Sequence, residues 1–287
     1  MRVITYETDR AEWDKSVLRK TCQSNEIDIT VLGLGEEWTT TAQKTYGYLE
    51  YLSEIDSTEL IMFCDNRDVS VHGKVEDFEE QIEKFNGKCV FGSELQCWPL
   101  LLLEKCFPWP KETKYLPECS RGLNCGVGIG YAGKMKELLD YSTRFYNIDM
   151  EQYLRDEYEI EAYDYDSGGF NDGGKMFDGD QLMIQLTYLE TDLIELDYSR
   201  SIIFTYQNFD YPSLKWIIDY FEEKYGIVWP RNDLWNVEFQ RNKGVYKSLY
   251  NLYTGEYFLV FHSVASSRNG HGMSNIKKLF NRNALLS

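Results

Sequence analysis

The chain has 287 residues, of which 43% are hydrophobic and 27% are charged, so it can bury a core and is not a disordered protein. Its 47 acidic and 30 basic residues give a net charge of −17, which repels nucleic-acid phosphates and anionic membranes. We therefore expect neither as a partner. The charge favours a cationic acceptor or divalent metal ions, although an acidic surface also serves solubility alone.

The sequence gives little sign of a membrane span, a signal peptide or a cysteine-bound zinc site. No apolar run reaches the roughly 18 residues that span a bilayer, and polar residues directly after residues 1–6 argue against a signal peptide. A cytoplasmic location is therefore favoured over the secretory lumen. None of the seven cysteines forms a Cys-x-x-Cys pair, so we expect no structural zinc site. Cys64 and Cys89 lie in apolar runs and are interpreted as small buried hydrophobes.

Apolar periodicity predicts strands that alternate with helices. The predicted strands are residues 2–6, 28–32, 60–64, 88–91, 126–131, 202–206 and 257–262. The predicted helices are residues 10–22, 43–55, 78–85, 134–145, 180–189 and 211–225. This order indicates an α/β fold with a mostly parallel sheet, and no linker divides the single domain over 1–287. Residues 147–176, acidic and rich in Tyr and Gly, predict a long surface loop with a helical stretch at 150–159.

Two carboxylates stand where such a sheet binds ligands. Asp65 and Asp68 follow the apolar run 60–64 directly, and open α/β sheets bind ligands beyond the carboxyl ends of their strands. Oxygen ligands of this kind hold Mg²⁺ or Mn²⁺, which would bridge the protein to the diphosphate of a sugar nucleotide. An Asx-type turn, with Asp68 paired to Arg67, explains the same residues without a metal.

Six collinear segments carry a family resemblance. They are Val31-Leu32-Gly33-Leu34-Gly35-Glu36-Glu37-Trp38, Gln43-Lys44, Asp65 with Asp68, Glu94 with Cys97-Trp98-Pro99, residues 123–132 (Leu-Asn-Cys-Gly-Val-Gly-Ile-Gly-Tyr-Ala) and Asp178-Gly179-Asp180-Gln181-Leu182. Together they resemble the glycosyltransferase domain of procollagen lysyl hydroxylases, with Asp65 and Asp68 at its Asp-x-x-Asp metal site.

The resemblance implies both fold and activity. It implies a GT-A-type, Rossmann-like fold with a mixed central sheet, in which about residues 1–95 bind nucleotide and about residues 96–287 bind acceptor. It implies a metal-dependent transferase that uses Mn²⁺ or Mg²⁺ to move a hexose, glucose first, from a UDP-sugar to hydroxylysine or galactosyl-hydroxylysine of a collagen-like polypeptide. The alternatives are a galactosyl- or other hexosyltransferase on a different acceptor, and a non-catalytic sugar-binding or scaffold relative.

The resemblance also assigns residue roles. The metal ligands are Asp65, Asp68 and a late histidine, for which His262 at the end of an apolar run is preferred and His271, six residues before Lys277, is the alternative. The expected nucleotide contacts are Thr5, Tyr6, Trp38, Lys44, Arg67 and Lys277. The expected catalytic group is Asp178, Asp180, Glu94, Trp98 and Asn124.

Simpler explanations stay open for several of these residues. Trp38 fits a buried Trp beside a Gly turn, Lys44 a solvated helix lysine, and Asp180 a helix N-cap. The glycines of residues 126–130 let the backbone approach a sugar or allow tight packing. His72 is expected at the surface.

The sequence also departs from the family. Arg67 stands where the family usually has an aromatic residue, and Gly179 interrupts the aspartate cluster. The expectation is a stand-alone transferase without an oxygenase domain after Ser287, cytosolic or from a large DNA virus, with a homo-oligomer also considered.

Overall fold

A computed structural model gives the fold. It describes residues 1–94, 97, 99–100, 103, 106–108, 122–160, 179–199, 201–207, 237–239, 249–251 and 256–264. The predicted helix 211–225 and residues 161–176 of the predicted loop lie outside the described residues. Among the helices that are described, none has the length and apolar character to cross a membrane.

The described elements follow the predicted alternation. The strands are β1 (Arg2–Tyr6), β2 (Asp28–Leu32), β3 (Leu60–Cys64), β4 (Val69–Val71), β5 (Cys89–Glu94), β6 (Gly122–Tyr131), β7 (Ile194–Asp197), β8 (Ile203–Gln207), β9 (Val237–Phe239), β10 (Leu249–Asn251), β11 (Glu256–Phe258) and β12 (Val260–Val264). The helices are α1 (Arg10–Asp14), α2 (Val17–Ser24), α3 (Thr41–Leu52), α4 (Val75–Ile82), α5 (Ala132–Thr143), α6 (Met150–Tyr158) and α7 (Asp180–Glu190).

The central sheet has six strands in the order β2-β1-β3-β6-β5-β7. Pairs β1–β2, β1–β3 and β5–β7 are parallel, whereas β6 is antiparallel to both β3 and β5. Five strands therefore share one direction and β6 runs against them. This confirms the expected α/β class with a mixed central sheet. The sheet is mostly parallel, as predicted, and β6 is its antiparallel strand.

Helices cover both faces of this sheet. On one face, α3, α5 and α7 contribute Tyr48, Met135 and Leu186 to a core that also contains Phe63 of β3. On the other face, α2 and α4 pack against Met62 of the same strand. Every residue of β3 is buried, because its alternating side chains enter two different cores. The unbroken apolar run at 60–64 is explained by this double coverage.

A second sheet lies near the carboxyl end of β3. Its order is β4-β12-β8, with β12 antiparallel to β4 and parallel to β8. The single strand predicted at 257–262 is in fact two strands, β11 and β12, which pair into different sheets on either side of Leu259. β9, β10 and β11 form a third sheet.

Local chemistry explains the other differences in the elements. The predicted helix 10–22 is two helices, because the Ser16 hydroxyl accepts a hydrogen bond from Arg19 N at 3.0 Å and starts α2 afresh. The helical stretch predicted at 150–159 is confirmed as α6, which begins after the cap Asp149. His72, expected at the surface, is partly buried, and its backbone N–H bonds Leu259 O at 2.7 Å beside β4. Cys64 and Cys89 are buried, as predicted.

Candidate metal centre and active site

Asp65, Asp68 and His262 converge beyond the end of β3. One ligand atom from each lies within 4.8 Å of the others, and His262 Nε2 is 3.6 Å from Asp68 Oδ1. His262 is 2% exposed. Within the described part of the chain, Asp68 Oδ1 and His262 Nδ1 are buried without a hydrogen-bond partner. Two carboxylates and an imidazole form a donor set that suits a divalent cation such as Mn²⁺, so the residues fit the implied metal.

Strand register explains how these distant residues meet. The buried run of β3 leaves Asp65 as its first partly exposed residue, and the Asp65 N–H bonds Gly126 O of β6 at 2.9 Å. In the antiparallel pair β4–β12, His262 lies opposite Val69, the residue after Asp68. Pairing of β12 with the three-residue strand β4 therefore places His262 beside Asp65 and Asp68.

Gly126 makes room for the imidazole. A Cβ at this position would lie 2.1 Å from His262 Cε1 and 3.0 Å from Asp65 Oδ2. The space above Gly126 is thus filled by His262 and is not left open for close approach of a sugar. For Gly128 and Gly130 the tight-packing explanation holds, since their faces meet the rings of Phe63 and Phe91 and the side chain of Cys89.

Lys44 links the metal candidates to the start of α7. Its Nζ lies 2.6 Å from Asp65 Oδ1 and 2.8 Å from Asp180 Oδ2, and its side chain is 11% exposed. Burial disfavours the charged ammonium, but the carboxylates of Asp180 and Asp65 outweigh burial and raise the pKa of Lys44 well above its ordinary value. The alternative of a solvated helix lysine is therefore wrong.

Asp180 does not cap α7. Gly179 holds the N-cap position, and Asp180 is the first helical residue, with Oδ1 accepting from Gln181 N at 3.0 Å and Oδ2 facing Lys44. The N-cap explanation of Asp180 is therefore wrong.

A buried polar network adjoins this charge cluster. Glu94 is 1% exposed, and its carboxylate accepts from Asn124 Nδ2 at 2.9 Å and from Gln181 Nε2 at 2.6 Å. Asn124 Oδ1 in turn accepts from Gly126 N at 2.9 Å. Gln181 was not assigned a role from the sequence, although it lies inside the matched aspartate motif; its position one residue after Asp180 was the available signal.

Tyr6, the last residue of β1, lies beside Trp38, which follows β2. Their rings meet edge to face at 6.1 Å, and the Tyr6 hydroxyl donates to Glu36 Oε2 at 2.6 Å. Burial and this hydrogen bond raise the pKa of Tyr6 to about 12. Trp38 is 47% exposed, so it is not a buried Trp. Thr5, by contrast, is buried and donates its hydroxyl to Cys64 O at 2.7 Å. Base contacts by these residues stay predictions.

The remaining predicted residues divide into two groups. Arg67 is described, and its guanidinium forms a two-pronged pair with Glu7. Trp98, Asp178, His271 and Lys277 lie outside the described residues.

Comparison with known proteins identifies the family. A family model described as "PLOD GT domain" matches residues 1–157, which carry Lys44, Asp65, Asp68, Glu94 and Asn124. The chain belongs to this family. Membership of the PLOD GT domain family confirms the resemblance seen in the sequence and agrees with the GT-A-type fold that it implied. The matched segment ends before Asp180 and His262, so their inclusion in the site depends on the geometry above.

Two relatives are similar to parts of the chain. "Uncharacterized protein R699" of Acanthamoeba polyphaga mimivirus is 28% identical over 193 residues, which cover 62% of this chain and 33% of the relative. The procollagen-lysine,2-oxoglutarate 5-dioxygenase of Drosophila melanogaster is 30% identical over 148 residues, which cover 48% of this chain and 20% of the relative. The chain therefore matches a third or less of the length of each relative.

Solved structures give more remote likenesses. The galactosyltransferase LgtC in complex with donor and acceptor sugar analogs matches at a TM-score of 0.44 and 13% identity, over 98% of this chain and 96% of that one. A glycosyltransferase involved in glycosylation of the major capsid of PBCV-1 matches at a TM-score of 0.30 and 14% identity, over 55% and 76%. Likenesses this remote carry no argument about the chemistry of the site.

Proposed function

We propose that this member of the PLOD GT domain family is a metal-dependent glycosyltransferase that transfers a hexose from a UDP-sugar to hydroxylysine or galactosyl-hydroxylysine of a collagen-like polypeptide. Glucose is the hexose we test first, and Mn²⁺ the first metal. The observation that carries the proposal is the convergence of Asp65, Asp68 and His262 within 4.8 Å in a chain of this family.

Each group of residues in the site has its own proposed role. Asp65, Asp68 and His262 would hold the cation, which when bound neutralises the charge that develops on the departing nucleoside diphosphate. Lys44 is held protonated by Asp65 and Asp180 and would contact the diphosphate. Tyr6 and Trp38 offer an aromatic surface for the base or ribose.

The polar network next to the metal candidates suits a sugar. Glu94 and Asn124 are fixed by each other and by Gln181, so the network holds its carboxylate and amide groups in defined directions. Asp180, joined to Lys44 on one side, would orient the transferred hexose or the acceptor hydroxyl. The net charge of −17 favours a Lys-rich acceptor polypeptide.

UDP release tests this proposal. The purified protein is incubated with Mn²⁺ and either UDP-glucose or UDP-galactose, with and without a peptide that carries hydroxylysine or galactosyl-hydroxylysine. We expect UDP release that requires Mn²⁺, is faster with UDP-glucose and increases with the peptide, together with a hexose mass added to the peptide.

The same assay separates the alternatives. Faster release from UDP-galactose, or a different acceptor, would identify another hexosyltransferase. The absence of both UDP release and thermal stabilisation by Mn²⁺ with any UDP-sugar would favour the non-catalytic relative.

A further inference from the structure

Glu7 is a buried carboxylate that the proposed chemistry does not use. It follows the last residue of β1, continues the sheet through a 3.0 Å bond from its N–H to Leu32 O, and is 4% exposed. A carboxylate taken out of water is costly unless donors surround it, so its partners indicate why it is there.

Four donors surround this carboxylate. Oε1 accepts from Arg67 Nη2 at 2.9 Å and from Asp9 N at 3.0 Å, and Oε2 accepts from Arg67 Nε at 2.9 Å and from Asn66 Nδ2 at 3.0 Å. Three of the four come from Asn66 and Arg67, which are the two residues between Asp65 and Asp68. The Arg67 contact is a planar fork, which fixes direction as well as distance.

The segment that carries the metal candidates is therefore held from two sides. Glu7 binds the side chains of Asn66 and Arg67 at the centre of the segment, and Gly126 O accepts from the Asp65 N–H at 2.9 Å. Asn66 is 4% exposed although it is an amide between two charged residues, so the segment is drawn into the protein at that point. Lys44 offsets the charge of Asp65 from one side, and the contacts of Asn66 and Arg67 with Glu7 fix the residues between Asp65 and Asp68.

We infer that Glu7 is a positioning residue, whose grip on Asn66 and Arg67 holds Asp65 and Asp68 in register with His262 before a cation binds. The inference rests on the proposed function for its metal, but the grip itself belongs to the metal-free protein. It also accounts for an arginine at residue 67, because an aromatic ring there could not form the fork with Glu7. Preorganisation of this kind raises affinity by reducing the ordering that binding requires.

Two measurements on Glu7→Gln test the inference. Hydrogen–deuterium exchange in metal-free protein follows the amides of residues 66–68, which we expect to exchange faster in the variant. Titration with Mn²⁺ alone, followed by the electron paramagnetic resonance signal of the free ion, should show an affinity lower by about 10-fold or more, as for other residues that orient metal ligands.

Matched variants sharpen the test. Asp14→Asn removes the same charge at an exposed carboxylate that pairs with Arg19 at 3.5 Å, so we expect wild-type exchange and affinity. Arg67→Gln removes the two-pronged pair by changing its exposed member, and it should show the same faster exchange and weaker Mn²⁺ binding as Glu7→Gln. It replaces Glu7→Gln in the test if that variant does not fold. Arg67→Lys keeps the positive charge but cannot form the two-pronged pair, so its Mn²⁺ affinity should lie between those of the wild-type protein and Arg67→Gln. The double variant Glu7→Gln with Arg67→Gln should bind Mn²⁺ no more weakly than the worse single variant.

The contrary results are distinct. Wild-type exchange at residues 66–68 and wild-type Mn²⁺ affinity in Glu7→Gln would overturn the inference, as would fully additive losses in the double variant. If the wild-type protein binds no Mn²⁺, with or without UDP, the proposed function fails, whereas the exchange result still decides whether Glu7 holds the segment.

Discussion

The imidazole of His262 occupies the space that a side chain at residue 126 would need, with only 2.1 Å between a Cβ there and His262 Cε1. Gly126→Ala should therefore displace the histidine and lower Mn²⁺ affinity by about 10- to 100-fold. Gly130→Ala is the matched control in the same strand, because its Cβ would meet Cys89 Sγ at 3.0 Å, away from the metal candidates. The control should lose stability and keep its affinity. Equal Mn²⁺ affinities in the two variants, measured by titration, would contradict this account of Gly126.

Lys44 should contribute to stability as well as to ligand binding. Lys44→Met leaves Asp65 and Asp180 without their shared cation, and we expect the free energy of unfolding in urea to fall by about 1–3 kcal/mol. The loss should be constant between pH 5 and 9, because a raised pKa keeps Lys44 protonated and its contribution disappears only as the pH rises through that raised value. Lys15→Met removes an exposed lysine 4.0 Å from Glu12 and should change stability by less than about 0.5 kcal/mol. Equal effects of the two changes would argue against a buried role for Lys44.

Gln181 should matter for transfer and not for metal binding. Gln181→Met keeps the side-chain volume but removes the 2.6 Å hydrogen bond to Glu94. The carboxylate of Glu94 is then held less firmly in its orientation. We expect kcat for transfer to fall at least about 10-fold with Mn²⁺ affinity unchanged. Gln23→Met, on the exposed side of α2, is the control and should leave both quantities as they are. A parallel loss of Mn²⁺ affinity would show that Gln181 acts through the metal site.

His72 should make the protein less stable in mild acid. Burial lowers the pKa of His72 to about 4, and its Nε2 lies 2.9 Å from Ser70 Oγ. Because the folded-state pKa is below the ordinary 6.5, its contribution to stability is complete above about pH 6.5 and is lost as the pH falls toward 4. Urea unfolding at several pH values should show this loss, and His72→Gln, which does not titrate, should show less of it. An identical pH dependence in both proteins would exclude His72 as the cause.

The sequence was sufficient to predict the core of the fold, because its signals are local. The run 60–64 is apolar throughout since β3 enters two cores, and Asp65 and Asp68 are visible directly after it. The reversed direction of β6 was not visible in its residues, because strand direction depends on pairing with β3 and β5.

Long-range contacts limited prediction of the site. His262 meets Asp68 through the register of β12 on β4, whose three residues are too few to give a periodic signal. Glu7 was noticed only as a polar residue after a strand, since nothing local reveals that Asn66 and Arg67 reach it. The resemblance marked Lys44 as a nucleotide contact, but nothing in its local sequence predicted the carboxylates of Asp65 and Asp180 on either side of it.

A single titration tests the central claim most directly: Mn²⁺ binding, followed by the resonance signal of the free ion in the presence of UDP, in the wild-type protein and in Asp65→Ala, His262→Ala and His271→Ala. We expect UDP-dependent binding in the wild-type protein and in His271→Ala, and its loss in the other two variants while they remain folded. Wild-type binding in Asp65→Ala, or equal and mild effects of the two histidine changes, would contradict the assignment of the metal to Asp65, Asp68 and His262.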